Sequence, residues 1–306
     1  MFRKKIKILN RLKWFYLKHI LQKKFALFKI KEFEIYLDLL TPGISKTLAI
    51  YGSREDDMKF LIFKYLKKDM NVLDCGSNIG FYPIYQRNII GNNSKIFCFE
   101  PDDRNYELLK KNIDHFDKSN NTYIYKKGLA ENNEEKNIII ADESNLNTIS
   151  TGNDEKFFSK YKVNELKKIN CISIDSFVDQ INTTIDFIRM DIEGYEVEVL
   201  RGMRNTLSKM KPRILIEIHP HFYDKQRNFS SELTFLFSQG YHVKALISAQ
   251  KPQPIEFKSI NLNPLEIINS DFIQRGYYEN ISNSDAIHLI NVLPKIVRYI
   301  YLEAKY

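Results

Sequence analysis

Apolar positions fall into three patterns along the chain. Over residues 2–28 they recur at helical spacing: Phe2, Ile6, Leu9, Leu12, Tyr16, Ile20 and Leu27 share one broad face, with Lys4, Lys7, Arg11 and Lys18 opposite. Over residues 29–50 they alternate with polar ones, as in Lys31-Glu-Phe-Glu-Ile-Tyr-Leu-Asp38, which predicts short strands broken at Pro42-Gly43. Beyond residue 55 short apolar runs alternate with helical stretches. A helix is predicted over 56–68, a strand at Asn71-Val-Leu73 and a helix over Phe81–Ile90. A strand at Lys95–Glu100, a helix over 102–117 opened by Pro101 and Asp102, and a strand at Thr122–Lys126 follow. Ile138-Ile-Ile140 reads as a strand, and the polar Asn/Ser/Lys-rich stretch 142–168 as a loop with a short helix. Strands at 185–191, 214–219 and 241–247 then alternate with helices at 197–207 and 230–239. Asp285–Ile290 predicts a final strand and Val297–Leu302 a short helix. Buried strands alternating with helices specify a doubly wound, mostly parallel α/β sheet.

The chemistry begins at the first of these strands. Asp74, Gly76 and Gly80 stand at Asp-x-Gly-x-x-x-Gly spacing between a strand and a helix. Glycines there let backbone approach a ligand closely, and the helix start offers free N–H groups. Twenty residues after Gly80, Glu100 ends the next strand, where a carboxylate accepts hydrogen bonds from two ribose hydroxyls. Gly128-Leu129 forms the turn after the third strand, beside the expected adenine position. A dinucleotide fingerprint would carry glycine where Asp74 stands. A carboxylate facing the pocket would repel a pyrophosphate and suit a ligand with ammonium and sulfonium centres, which favours S-adenosylmethionine over NAD. The alternatives are an oxidoreductase with a degenerate NAD loop and a non-catalytic, membrane-associated scaffold.

Ligands of open α/β sheets bind at the carboxyl ends of the strands. Asp74, Glu100, Asp191 and His219 all lie at such ends. Asp191, Glu193 and Glu196 place three carboxylates within six residues at a strand-to-helix turn. One of them suits a general base with proton affinity raised by its like-charged neighbours, unless Glu193 and Glu196 serve only as favourable charge at a helix start. Asp191 with Glu217 or His219 would alternatively suit a hard divalent cation, although no metal is assigned. His219 and His221 are otherwise ordinary loop histidines.

Composition changes this picture in two places. The net charge of +8 is local: residues 1–30 hold ten Lys/Arg and no acid, leaving 36 basic against 38 acidic residues in the rest. That distribution argues against a nucleic-acid substrate, whose enzymes carry positive charge around the cleft. It suits a basic amphipathic helix with Trp14, Phe15 and Phe25 lying on an anionic membrane; the alternative is a helix packed on the main domain. No uncharged run is long enough to span a bilayer. The three cysteines, Cys75, Cys98 and Cys171, read as reduced thiols of a cytoplasmic protein, with peripheral contact at the inner membrane. The 306 residues accommodate a large α/β domain over 46–306 after an N-terminal segment of 1–45.

Val72-Leu-Asp-Cys-Gly-Ser-Asn-Ile-Gly80, Phe99-Glu-Pro101, Met190-Asp-Ile-Glu-Gly-Tyr-Glu196 with Val199-Leu-Arg-Gly202, and Ile216-Glu-Ile-His219 together resemble the FkbM family of S-adenosylmethionine-dependent methyltransferases over residues 48–250. The resemblance implies a Rossmann-like class I methyltransferase fold, a seven-stranded sheet with a reversed last strand. It also implies O-methylation of a hydroxyl, often on a sugar or a polyketide; the acceptor expected here is a sugar hydroxyl of a bacterial surface glycan or its precursor. It assigns Asp74, Gly76, Asn78 and Gly80 to the cofactor loop, Glu100 to the ribose and Glu55 to an upstream acid. Leu129 and Asp191 complete the expected cofactor set, with Asp191, Glu193 and His219 as candidate catalytic residues. Arg189 stands where the family usually carries Lys.

Overall fold

The computed structural model describes residues 2–41, 43–143, 146–152, 154–292 and 296–305, without the side chains of residues 2–7, 156, 221 and 292. The chain opens with helix α1 (Phe2–Phe15), continued by a π-helical turn (Tyr16–Ile20), and the hairpin β1 (Phe25–Lys29)–β2 (Glu34–Asp38). Helices α2 (Ile44–Tyr51) and α3 (Asp56–Tyr65) lead into β3 (Val72–Cys75), α4 (Phe81–Ile90), β4 (Ile96–Phe99), α5 (Asp103–Phe116) and β5 (Thr122–Tyr125). An excursion follows: β6 (Gly128–Leu129), β7 (Glu134–Ala141), β8 (Thr148–Ile149), α6 (Glu155–Lys160) and β9 (Val163–Ile172). The winding resumes with α7 (Ile174–Val178), β10 (Phe187–Met190), α8 (Glu196–Arg201), α9 (Arg204–Lys209) and β11 (Arg213–Glu217). It closes with α10 (Phe229–Ser238), β12 (Tyr241–Ser248), α11 (Ile255–Ser259), β13 (Glu266–Ser270), β14 (Ile273–Glu279), α12 (Asn283–Val292) and β15 (Val297–Ala304).

The main sheet has the order β13-β14-β12-β15-β11-β10-β3-β4-β5. Strands β11, β10, β3, β4 and β5 pair in parallel, while β15 runs antiparallel to both β11 and β12. The seven strands from β12 to β5 are therefore the expected doubly wound sheet with a reversed last strand, and the β13–β14 hairpin extends its edge. Strand residues alternate between two cores. Val72, Ile96, Phe187 and Leu215 enter one, and Leu73, Phe97, Ile188, Ile214 and Ile216 the other. Burying each such side chain contributes about 1.5–3 kcal/mol, so the alternation fixes which face each helix covers.

Four elements differ from the sequence reading. Residues 44–51, expected as a short strand after Pro42-Gly43, are helix α2, whose buried Ile44, Ser45, Leu48 and Ala49 recur at helical spacing. The expected final strand at 285–290 is helix α12. Its buried residues, Ala286, Leu289 and Ile290, recur at three- and four-residue steps, a helical stripe rather than an alternation. The expected helix at 297–302 is β15, the reversed strand. Tyr299, Ile300, Tyr301 and Leu302 are buried consecutively because two strands flank it and both faces are covered. The polar stretch 163–172 is strand β9, held by a ladder against β7 rather than by burial.

The N-terminal helix ends by residue 20, after which Ala26 and Phe28 alternate into the core from β1. Trp14, expected on a membrane-facing surface, is buried against the Phe28 ring at 6.0 Å, and Leu17 packs beside it. Leu9, Leu12, Tyr16 and Ile20 stay exposed on the other side. The helix thus docks on the domain through its Trp14 edge and leaves its apolar face open. The three cysteines are free and buried. Among the described residues, no helix is long and apolar enough to cross a membrane.

Candidate active site

A cavity of about 450 Å³ opens at the carboxyl ends of β3, β4, β10 and β11. Glu55, Gly76, Asn78, Glu100, Leu129, Asp191, Glu193 and His219 line it, so eight of the ten residues singled out in the sequence meet there. Asp74 and Gly80 are not among its lining residues. Gly80 is the left-handed cap that starts α4. Asp74 is fully buried beneath the loop, and its carboxylate accepts from Ser77 Oγ (2.8 Å) and Gln86 Nε2 (2.8 Å) and pairs with Arg189 (3.4 Å). It braces the loop from inside instead of facing a ligand.

The loop is drawn tight by its glycine. A Cβ at Gly76 would stand 2.1 Å from the Asp191 carbonyl oxygen, and φ is +80°, so only glycine permits this approach of β3 to the end of β10. The Gly76 and Ser77 N–H groups donate to the Phe99 carbonyl, which ties the loop to β4. Glu100 follows directly. Its Oε2 accepts from Asn78 N–H (2.9 Å) and its Oε1 from Asp102 N–H (3.0 Å). Burial, reinforced by neighbouring Asp102, pushes its carboxyl up to about 8. Leu129 and Ile149 line the cavity at this end, with β8 supplied by the excursion.

The other end is a network of charges. Arg189 is 1% exposed and bridges the two strands: Nη2 donates to Asp191 Oδ2 (2.6 Å), Nη1 to the Gly76 carbonyl (3.1 Å), and the guanidinium lies 4.0 Å over the Tyr82 ring. Its planar fork makes these contacts together, which a lysine ammonium would not. Glu55 accepts from Arg54 Nε (2.8 Å), Arg298 Nη2 (3.2 Å) and the Tyr82 hydroxyl. Burial works against its charge, but Arg54 and Arg298 prevail and lower it to about 2. Arg298 also reaches Glu217 (3.2 Å).

His219 sits among carboxylates. Its Nδ1 lies 2.8 Å from Glu196 Oε1, and its Nε2 lies 3.4 Å from Glu193 and 3.9 Å from Glu217. Glu196 is fully buried and also accepts from the Tyr223 hydroxyl (2.7 Å) and Gly194 N–H (3.0 Å). Burial opposes its charge, yet His219 and these bonds hold it below the usual carboxylate range. It is therefore ionised, and His219 Nδ1–H donates to it. Burial disfavours the His219 cation, but Glu193 and Glu196 outweigh it and raise the imidazole well above its ordinary value. Burial also drives Glu193 up to about 8, against the pull of His219. Asp191, Glu217 and His219 each offer an atom within 4.8 Å of the others, a donor set a divalent cation accepts. Their charges are met within the protein by Arg189 and Arg298 and by the His219–Glu196 pair.

The methyltransferase FkbM domain matches residues 74–243, more than half of the chain. The chain belongs to the FkbM methyltransferase family. It is 25% identical over 170 residues to the methyltransferase sdnD of Sordaria araneosa, covering 48% of this chain and 65% of that protein. It is 27% identical over 167 residues to the hexuronic acid methyltransferase AglP of Haloferax volcanii, covering 54% and 62%. The chain thus matches under two thirds of the length of each relative. The crystal structure of methyltransferase FkbM from Methylobacillus flagellatus KT is similar at 17% identity and a TM-score of 0.44, covering 76% of this chain and 52% of that one. Arg298 and Arg275 line the cavity from outside the matched FkbM segment. The sequence pattern predicts a helix at 297–302 and no element at 273–279, so it does not point to either arginine; the available signal is a lone arginine in each of two aromatic runs, Val297-Arg-Tyr and Gln274-Arg-Gly-Tyr-Tyr278.

Proposed function

We propose that this FkbM-family chain is an S-adenosylmethionine-dependent O-methyltransferase acting on a sugar hydroxyl of a bacterial surface glycan or its precursor. One observation carries the reading: a single cavity joins an end fitted to a nucleoside with an end fitted to take up a proton. Glu100 would accept from the ribose hydroxyls, the Gly76–Asn78 loop would hold the amino-acid portion, and Leu129 would flank the adenine. The tight Gly76 turn and the lining carboxylate of Glu100 fit that group. Bound there, the cofactor supplies a methyl group activated by a sulfonium centre.

The remaining work falls to side chains of this chain. Glu196 fixes the His219 tautomer, with Nδ1 protonated and Nε2 turned to the cavity. Without ligand, His219 is the cation that balances the buried Glu196 carboxylate. With Nδ1–H held by Glu196, a neutral Nε2 would meet the acceptor hydroxyl and take its proton. Asp191, held by Arg189, would orient the acceptor, and protonated Glu193 would donate to it. Alignment of hydroxyl and methyl in this enclosed site supplies much of the rate gain. The similarity to AglP supports a sugar acceptor, and the local character of the basic charge supports an acceptor other than nucleic acid.

Activity assays with a panel of monosaccharide and uronic-acid acceptors, with and without a chelator, test the reading. Methyl transfer to a sugar hydroxyl that survives chelation and is lost in His219→Ala supports it; transfer only to nitrogen or carbon contradicts it. We also place the enzyme peripherally on an anionic membrane through α1 and its π turn, whose Leu9, Leu12, Tyr16 and Ile20 face outward within the acid-free segment 1–30. Equal vesicle partitioning of the native chain and a Leu9→Asp/Leu12→Asp variant would contradict that placement.

A further inference from the structure

A groove of about 790 Å³ separates α1 and its π turn from α2, and no residue lining it lines the active-site cavity. Buried Trp14 and Ile50 form part of its wall, and the half-exposed rings of Phe15 and Tyr51 extend it. Tyr51 continues the aromatic surface to Phe272, 5.2 Å away and 83% exposed at the β13–β14 turn. Arg11 lines the groove from α1, Lys18 from the π turn and Lys46 from α2. Among the described residues, none of these three cations has a carboxylate partner; Lys18 reaches only the Leu40 carbonyl, at 3.3 Å. The active-site arginines, by contrast, are all paired with carboxylates.

We propose that this groove is a binding site for the phosphate head group of an anionic phospholipid. The unpaired cations match a phosphodiester, and the aromatic wall matches the glycerol and the first methylenes of the chains. The inference rests on the membrane placement above and extends it from α1 to α2: the outward face of α1 enters the bilayer while a lipid head group is clasped behind it. Each cation near an anionic surface strengthens partitioning about fivefold, so Lys46, on a different element from the adsorbing helix, carries a separable share.

Trp14 is the only tryptophan of the chain and lines the groove, so its emission reports occupancy directly. The test titrates the full chain with short-chain phosphatidylglycerol below its micellar concentration, beside phosphatidylcholine of equal chain length and inorganic phosphate. Lys46 is exposed, so Lys46→Glu keeps the fold, checked by an unchanged emission spectrum in buffer. The expected result is a saturable change with phosphatidylglycerol, at least fivefold weaker in Lys46→Glu and absent with phosphatidylcholine. No saturable change, an unaltered affinity in Lys46→Glu, or equal saturation by inorganic phosphate overturns the proposal. Vesicle sedimentation alongside separates the two levels. If vesicles bind while soluble lipid does not, the groove fails and the α1 placement stands; if neither binds, both fail.

Discussion

The two ends of the active-site cavity are built by different means. At the Gly76–Glu100 end the polar groups proposed to hold the cofactor come from two short, contiguous stretches, Gly76–Asn78 and Phe99–Pro101, tied together by backbone hydrogen bonds, and the excursion adds the apolar Leu129 and Ile149. At the His219 end the side chains come from β10, β11, β15, the turn before α8 and the approach to α3, and they are held by mutual charge. The first end is a local device, set by the backbone of two neighbouring loops. The second is a non-local network in which no carboxylate can be removed without exposing a partner. Binding and chemistry should therefore be separable by substitution at the two ends.

The largest expected effect lies at the network end. His219→Ala should lower kcat by about 10³-fold, within the range for loss of a positioned acid–base group, while calorimetric affinity for S-adenosylhomocysteine changes little. A comparable loss of cofactor affinity would erase the separation between the ends. Next comes stability. Arg298→Ala leaves Glu217 without its guanidinium and Glu55 with only Arg54, and removing one partner of a buried pair costs about 3 kcal/mol, read as a lower denaturant midpoint. An unchanged midpoint would mean that the network relaxes into solvent.

Glu196→Gln should cost on the order of 10²-fold in kcat, with KM little changed, and should move the alkaline-side rise of the pH–rate profile to lower pH, because a neutral amide no longer supports the imidazolium. A purely structural role would lower the amount of folded protein without moving the profile. The smallest effect concerns pH and stability. Burial pushes Glu100 and Glu193 up to about 8 and Glu217 up to about 7 in the folded chain, against an ordinary value of 4.5. The folded state therefore holds more protons between about pH 4.5 and 8, so stability falls as pH rises through that window and then levels. His219, raised by its carboxylates, acts in the same direction: its contribution is complete below about 6.5 and is lost as pH rises through its folded value. Glu55, lowered to about 2, contributes above 4.5 and weakens only under acid, outside the window. The melting temperature should decline from pH 5 to 8, and Glu100→Gln should flatten that decline.

The same contrast explains what was legible in the sequence. The strand–loop–helix at Val72–Gly80 and the acid at Glu100 are local patterns, and eight of the ten expected residues meet in one cavity. Asp74 is the strand-end acid that the local pattern predicts, but it lies beneath the loop and not in the pocket. Its partner Arg189 lies 115 residues away, and nothing local announces that pairing. Glu196 carried two readings, base or helix-start charge; its contact with His219 depends on the turn after β11 bringing Tyr223 and the imidazole together. Arg298 was invisible for a different reason. A run buried on both faces shows no period that distinguishes strand from helix, and β15 takes its form from strands β11 and β12 on either side.

The measurement closest to the central claim is isothermal titration of S-adenosylhomocysteine into the native chain, Glu100→Ala and His219→Ala. Two lost ribose hydrogen bonds cost about 3 kcal/mol, about 10²-fold in affinity. Micromolar binding is expected to the native chain and to His219→Ala, with binding to Glu100→Ala weakened by that factor. Equal binding to all three, or none to the native chain, would contradict a cavity that holds a nucleoside at one end and takes up the acceptor's proton at the other.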